Sequence, residues 1–131
     1  MSRKLSEDYK VIALQASAAL TVTTTSAAVN IEQYDDDALA IVNLGTFTSN
    51  PTITVTITGS TTIGGTYTTI GTFTAATATG TAAIPVNLTG LVGVKSVVTF
   101  AGGTSPSVPS TVVLMVKPFA KSTTNNSATL A

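Results

Sequence analysis

The stretch from Asn50 to Ser60, NPTITVTITGS, alternates almost without interruption between threonine and a branched aliphatic residue. Successive side chains of a β-strand point to opposite faces of the sheet, so this pattern predicts a strand with one apolar face and one threonine face. We expect the apolar face to enter the core. The threonine face then meets water, a special ligand such as ice or sugar, or another protein subunit.

The rest of the chain has the same character. Threonine, valine and isoleucine are frequent, and glycine, proline and asparagine occur between the segments that they form. Helical periodicity is hard to find, so the sequence predicts an all-β class. A length of 131 residues is that of one domain. The spacing predicts a single antiparallel β-sandwich or jelly roll of about eight strands. The predicted strands are 10–15, 19–25, 28–32, 38–47, 52–58, 66–73, 82–88, 94–101 and 111–117, of which the second and third can form one bent strand.

Several residues refine this prediction. Pro85 removes a ladder donor, so its strand is predicted to be an edge. Tyr67, Ile70 and Phe73 do not share one parity, which predicts a bulge or bend near Gly71. Tyr67 itself is expected in the core. The core positions predicted from alternation are Val29, Ile31, Ile53, Val55, Ile57, Ile84, Val86, Leu88, Val98 and Phe100.

Two predicted strands are apolar on both faces: residues 38–45, ALAIVNLG, and residues 111–117, TVVLMVK. In an antiparallel sheet one face is commonly wet, so such a strand is either central with both faces covered or part of a subunit interface. We therefore predict a homo-oligomer. Its predicted interface includes Leu39, Ile41, Val113 and Met115.

Charge is scarce and unevenly placed. Charged residues make up 9% of the chain with a net charge of zero, and none occurs between Asp37 and Lys95. An average soluble domain has about 25% charged residues. A domain that works alone normally keeps charges interspersed over its surface, so the neutral middle suggests a surface covered by something else. Nucleic acid is excluded as that cover, because phosphate binding needs clustered basic residues. The basic residues that cluster are Arg3, Lys4 and Lys10, with Glu7 and Asp8 among them.

The chain contains few residues of the types that carry out catalysis. The chain contains no cysteine and no histidine, and its acidic residues beyond Glu7 and Asp8 are Glu32 and the run Asp35, Asp36 and Asp37. Any catalytic carboxylate pair would have to come from one local cluster. We predict no enzymatic activity and no cofactor.

The acidic run lies in QYDDDA, residues 33–38. Its oxygen atoms could ligate calcium, but the spacing does not match an EF-hand loop, and adjacent side chains on an extended chain point alternately apart. The favoured interpretation is a solvated turn before a strand. Cation binding by Asp35, Asp36 and Asp37 stays open from the sequence.

Special ligands for the threonine face are disfavoured. A flat ice-binding array normally needs a repeat architecture, which this chain lacks. Sugar binding favours an aromatic platform, and the chain has no tryptophan. Water and a neighbouring protein remain as alternatives.

The ends of the chain differ from its middle. Residues 1–9 are charged and residues 120–131 are small and polar, so we divide the chain into an N-terminal arm (1–9), a β-sandwich domain (10–119) and a C-terminal tail (120–131). These short, flexible ends are either frayed tails or arms that order on neighbouring subunits. No segment approaches the roughly 20 apolar residues of a membrane helix, and Glu7 and Asp8 interrupt any signal peptide, so no membrane association is expected.

Four segments together resemble a known family. They are VNLG (residues 42–45), PTITVTI (51–57), TYTTI (66–70) after a glycine-containing hairpin, and VVTFAGGTSPS (97–107) before a last apolar strand. By these segments the sequence resembles the small β-sandwich structural proteins of tailed bacteriophages, which include the head decoration or cement proteins. The resemblance covers about residues 10–119.

The resemblance implies a non-enzymatic role on the outer surface of a phage head, where copies clamp neighbouring capsomers. The implied partners are the major capsid protein and further copies of the chain, with a trimer favoured over a dimer. The implied location is the capsid exterior of the virion, after synthesis in the host cytoplasm. We assign capsid contact to Arg3, Lys4 and Lys10. The alternative is a tail-fibre, baseplate or surface adhesin-like binding module.

Overall fold

The computed structural model describes residues 9–118, which fold into two antiparallel sheets around one apolar core. The predicted all-β sandwich is therefore confirmed. The predicted arm and tail, and with them the boundaries of the domain, lie almost wholly outside the described residues. The strands are β1 (Lys10–Leu20), β2 (Thr24–Thr25), β3 (Val29–Asn30), β4 (Asp37–Leu44), β5 (Thr52–Ser60), β6 (Thr68–Thr72), β7 (Gly80–Asn87), β8 (Gly93–Ala101) and β9 (Val108–Val116).

The two sheets differ in strand order. The four-stranded sheet has the order β1-β9-β4-β7, and the five-stranded sheet has the order β2-β8-β5-β6 with β3 also paired to β8. The two strands predicted to be apolar on both faces, β4 and β9, lie side by side in the centre of the four-stranded sheet. Within residues 9–118 there is no helix long and apolar enough to cross a bilayer.

The core lies between the inner faces of the two sheets and follows the period-two alternation of the strands. On β5, Ile53, Val55 and Ile57 are each at most 2% exposed, as the opening pattern predicts. Across the core, Val112 and Leu114 of β9 are fully buried. Each such aliphatic side chain contributes about 1.5 to 3 kcal/mol on burial, so the inward rows provide most of the stability of the fold.

The predicted edge and bulge are both confirmed. Pro85 lies in β7, which is an edge of the four-stranded sheet and pairs with β4 on one side only. Within the described part of the chain, no further strand lies on the open side of β7 to need a hydrogen bond from residue 85. The β5–β6 register shifts between Ile57 and Thr58, opposite the residue next to Gly71. A Cβ on Gly71 would lie 2.8 Å from Cγ1 of Val86. Glycine therefore allows the close approach of β6 to β7, one from each sheet.

The N-terminal strands differ from the prediction. Residues 10–15 and part of 19–25 form one strand, β1, whose pairing with β9 is irregular between Ala13 and Gln15 and again between Gln15 and Ala18. The separate strand predicted at 19–25 is wrong except for the two residues of β2. Pairing with β9 continues on both sides of the two irregularities, so residues 10–20 form one strand. This pairing is long-range and could not be predicted from the local sequence.

The predicted core position of Tyr67 is wrong. The residue precedes β6 in the hairpin connection and is half-buried at the surface. Its hydroxyl donates to the carbonyl of Ile63 at 2.6 Å, and Nζ of Lys95 lies 4.4 Å from the ring centroid. A cation over an aromatic face at this distance is a favourable surface contact, which keeps the ring outside the core.

Ser26 and Ser96 connect the N-terminal half of the chain to β8. The N–H of Ser96 donates to Oγ of Ser26 at 2.9 Å, and the N–H of Ser26 donates to the carbonyl of Ser96 at 2.9 Å. Oγ of Ser96 is buried and has no hydrogen-bond partner among residues 9–118. The two hydroxyls are therefore not equivalent, because one satisfies a buried donor and the other is itself unsatisfied.

Substitution of each serine by alanine should separate these roles. We expect Ser26→Ala to lower the free energy of unfolding by about 1 to 3 kcal/mol, because it leaves the buried N–H of Ser96 without an acceptor. Ser96→Ala removes an unsatisfied hydroxyl and should change stability by less than about 0.5 kcal/mol or raise it. Urea unfolding followed by circular dichroism measures both. Equal losses in the two variants would contradict this account.

Candidate interaction surfaces

The four predicted interface residues lie together on the outer face of the four-stranded sheet. Leu39 of β4 pairs with Met115 of β9, and Ile41 pairs with Val113 in the next outward position. Their strand neighbours alternate with them and point into the core, where Ala40 and its equivalents are buried. The structure thus brings two distant sequence segments into one apolar group.

The edge strands extend this group. Val11 of β1 pairs with Met115, and Pro85 of β7 pairs with Leu39, which makes one apolar row across the sheet. Ala13 and Ala83 extend the next row in the same way. We call these two rows the apolar sheet face: Val11, Met115, Leu39 and Pro85 in the first, and Ala13, Val113, Ile41 and Ala83 in the second.

The apolar sheet face is open to solvent in the single chain. Val11 is 58% exposed and Leu39 is 37% exposed. Ala13, Ala83 and Pro85 are also exposed, and the remaining members are half-buried against their cross-strand neighbours. A contiguous apolar surface of this kind on a soluble domain marks an interaction site more often than isolated exposed residues do.

Polar rows bound the apolar sheet face at both ends. At one end lie Thr111, Asn43 and Thr81, and the hydroxyl of Thr81 donates to Oδ1 of Asn43 at 3.1 Å. At the other end, Asp37 begins β4 and Lys117 follows β9, with the same outward parity as the apolar residues beside them. The apolar rows therefore lie between a neutral polar row and a charged row formed by Asp37 and Lys117, which adjoins Asp35 and Asp36.

The charged row borders a groove of about 610 Å³. The backbone of residues 35–37, the acidic turn, forms one side of this groove. The N–H of Asp35 donates to the carbonyl of Lys117 at 2.7 Å, and the carbonyl of Asp36 accepts from the N–H of Leu88 at 2.6 Å. Among the described residues, no three acidic side chains come close enough to hold a metal ion. The groove is lined by Tyr9, Asp35, Asp36, Asp37, Ala38, Leu39, Met115, Val116 and Lys117.

The threonine row of β5 forms part of the opposite outer surface. Thr54 lies opposite Thr99 of β8, and Thr56 lies opposite Val97. Thr54 and Thr56 are half-buried, since side chains on adjacent strands of one sheet face pack beside each other, and Thr99 is exposed. The outer face of the five-stranded sheet is thus mixed, with hydroxyls and methyls side by side and Lys95 opposite Thr58, whereas the outer face of the four-stranded sheet is apolar between its two bounding rows.

The predicted capsid-contact residues are only partly within the described chain. Arg3 and Lys4 lie outside it. Lys10 is the first residue of β1 and is exposed, with Nζ 6.0 Å from the ring centroid of Tyr34. A cation at this distance is at the outer limit of a cation–π contact, so its charge stays available to solvent and to partners.

An apolar crevice of about 130 Å³ lies between the two sheets, lined by Val42, Ile53, Phe73 and their neighbours. It is smaller than the roughly 300 to 1,000 Å³ of typical ligand pockets. The extended surfaces of the sandwich are consequently better candidates for function than this crevice.

Comparisons with known proteins show which structures share this fold but assign the chain to no family. No protein-family model matches the sequence, and no curated protein matches it. Among solved structures the fold is similar to XepA, an exported protein of PBSX, with a TM-score of 0.58 and 15% identity over 83% of this chain and 37% of that chain. It is also similar to YomS, a protein derived from prophage SPBc2, with a TM-score of 0.54 and 14% identity over 83% of this chain and 92% of that chain.

A third similar structure comes from the disulfide-linked pili of Bacillus endospore appendages, with a TM-score of 0.51 and 15% identity over 84% of this chain and 86% of that chain. At these identities the similarity shows a shared fold. The chain is therefore a β-sandwich of a kind found in phage-derived proteins and in surface appendages.

The sequence prediction of the interface missed half of the apolar sheet face. Val11, Ala13, Ala83 and Pro85 belong to the two edge strands, and their membership depends on which strands lie beside β4 and β9. The continuous apolar run at the start of β1 was a signal for an outward apolar side. Sheet order was needed to show where that side lies.

Proposed function

We propose that the protein is a non-enzymatic virion structural protein that decorates the outer surface of a bacteriophage head and stabilises contacts between capsomers. The observation that carries the proposal is an open apolar sheet face on a charge-poor β-sandwich, a surface suited to contact with other protein. The family resemblance of the sequence and the shared fold of YomS and XepA support a phage origin.

The mechanism is linkage between binding and assembly. A protein that binds the assembled capsid lattice but not free capsid subunits stabilises the lattice by mass action. A homo-oligomer makes several such contacts at once, so attachment is tighter than any single contact allows. The major capsid protein is the proposed partner, and the resemblance favours a trimer over a dimer.

Co-sedimentation tests this proposal. Phage heads purified without the protein should pellet it in a saturable way, and unassembled capsid protein should not bind it. Binding to both forms alike would contradict the linkage mechanism. Absence of binding to heads would contradict the decoration role itself.

The basic residues near the N-terminus give a second test. Replacement of Arg3, Lys4 and Lys10 by alanine should weaken head binding by roughly tenfold near 0.1 M salt, taking about 0.5 kcal/mol for each exposed charge contact. The difference should fade near 1 M salt, where the Debye length drops to about 3 Å. Lys95→Ala, which alters a basic residue of the other sheet, is the matched control. Unchanged binding of the triple variant at low salt would refute the role of these residues.

A tail-fibre, baseplate or surface adhesin-like module is the second candidate, favoured by the shared fold of the Bacillus appendage structure. It predicts saturable glycan binding by the isolated protein. Glycan binding without head binding would establish this candidate in place of the first. The appendage pili are disulfide-linked, whereas these 131 residues contain no cysteine, so they form no disulfide bond between copies.

A further inference from the structure

We propose that the apolar sheet face is the contact surface of a two-fold homodimer, with β9 of each copy packed over β4 of the other. The inference rests on the oligomer part of the proposed function, replaces its trimer with a dimer and assigns the apolar sheet face to contact between copies. It concerns the isolated chain and requires no phage particle. Its basis is the arrangement of apolar and charged rows on the four-stranded sheet.

A second copy of this face is the occupant that matches it best. Apolar surface gains most from contact with apolar surface, and the outer face of the five-stranded sheet is mixed with threonine hydroxyls. The terminal segments are poor matches by sequence, because residues 1–8 are mostly polar or charged and residues 119–131 are mostly small and polar. A surface that pairs with itself produces two-fold symmetry.

The charged row decides the direction of the two-fold axis. The pairing of β4 with β9 ends at Leu39 and Met115, and Asp37 and Lys117 follow at the same end of the two strands, where both line the groove together with Asp35 and Asp36. An axis parallel to the strands and between β4 and β9 places Lys117 of one copy over Asp37 of the other, and the reverse contact follows by symmetry. Opposite charges then meet twice in each dimer, at the rim of the apolar contact.

The same axis superposes apolar positions of similar size. Leu39 of one copy lies over Met115 of the other, and Ile41 lies over Val113, while the smaller Ala13 and Ala83 meet at the sides. An axis across the strands would instead place Asp37 and Lys117 over the uncharged row of Thr111 and Asn43. That arrangement covers both charges with uncharged residues and forms no charge pair between the copies, which is less favourable.

Together with its two bounding polar rows, the apolar sheet face approaches the size of a specific contact. Four strands about 4.8 Å apart and six steps of about 3.3 Å cover a flat area of roughly 19 by 20 Å in each copy. The accessible surface of a side-chain-covered face exceeds its flat outline, so the pair approaches the roughly 1,000 Å² expected of specific interfaces. Inter-sheet packing of this type keeps the strands of the two sheets within about 30° of each other.

The preference for a trimer came from the family resemblance, whereas the face itself favours a pair. A three-fold arrangement needs two different matching surfaces on each chain. Sedimentation equilibrium of the full chain between about 1 and 200 µM should therefore fit a monomer–dimer equilibrium, with the larger species at twice the 13.2 kDa of the chain. A monomer throughout, or a trimer, would overturn the inference.

A charge in the middle of the face should abolish pairing. Ile41→Lys is expected to raise the dimer dissociation constant at least about 100-fold, because each dimer carries the change twice. Val97→Lys is the matched control, since Val97 is a half-buried aliphatic residue on the outer face of the other sheet. Circular dichroism checks that both variants are folded. Equal dimerisation by folded Ile41→Lys and wild-type protein would overturn the inference.

Charge exchange tests the direction of the axis. Asp37→Lys and Lys117→Asp should each weaken self-association, because like charges then meet at both contacts. A mixture of the two single variants should form heterodimers in preference to either homodimer, and the double variant should recover pairing. Dimerisation unaffected by either change would overturn the arrangement. A monomeric chain that binds heads would overturn the dimer and support the decoration role. A dimer that does not bind heads would support the dimer and contradict the decoration role.

Discussion

Replacement of Val55 by aspartate is expected to unfold the β-sandwich, whereas the same replacement at the neighbouring Thr54 is expected to leave it folded. Val55 is 2% exposed in the centre of β5, where it pairs with the fully buried Val98. A carboxylate at this position would be buried without a cation or hydrogen-bond donor, which costs several kcal/mol. Domains are stable by only about 5 to 15 kcal/mol, so the loss is decisive.

Thr54→Asp places the same side chain on the outer, half-buried side of the strand. We expect it to cost about 1 kcal/mol, mainly through the lower preference of aspartate for strands. Far-UV circular dichroism and urea unfolding distinguish the two outcomes. Similar stability of the two variants would mean that the alternation of β5 does not separate core from surface.

Truncation of Leu114 to alanine should lower the free energy of unfolding by about 2 to 5 kcal/mol. Leu114 is fully buried on β9, between Ile12 of β1 and Ala40 of β4. The cost combines the lost transfer free energy of the side chain with the cavity it leaves. Because β9 is central in the four-stranded sheet, the neighbouring strands have little freedom to close that cavity.

Leu39→Ala is the matched control, since it removes the same atoms from the outer face of the same sheet. Leu39 is 37% exposed, and we expect a loss of about 1 kcal/mol or less. Urea unfolding at low protein concentration is the appropriate measurement, because self-association through this face would add to the apparent stability. A loss at Leu39 as large as that at Leu114 would show that the outer face is already packed within one chain.

Inward and outward residues of the sheets are expected to have different roles. Changes on the inward rows are expected to affect folding, whereas changes on the apolar sheet face are expected to affect association and leave the fold unchanged. Leu39 and Leu114 therefore separate a structural role from a binding role with one type of substitution. Val55 and Thr54 separate core from surface in the same way on the opposite sheet.

Local sequence was sufficient for the class of fold and for much of its detail. The alternation around Val55, the proline of β7 and the loss of parity at Gly71 each reflect chemistry within a few residues, so the core face, the edge and the bulge were all predictable. Tyr67 and the strand predicted at 19–25 were not, because a cation from β8 holds the tyrosine ring and β9 holds β1 in one piece.

From the sequence, residues 38–45 and 111–117 are apolar on both faces, which predicted that Leu39, Ile41, Val113 and Met115 lie either under a covering element or in a subunit interface. The pairing of the strands places these four residues side by side on the outer face, with Val11 and Pro85 beside them and Asp37 and Lys117 at one end. Residue parity is a local property of a strand, so it can be predicted from a short segment. Sheet order and register come from long-range pairing between distant segments, such as β4 and β9, whose paired residues lie 66 to 76 positions apart in the chain.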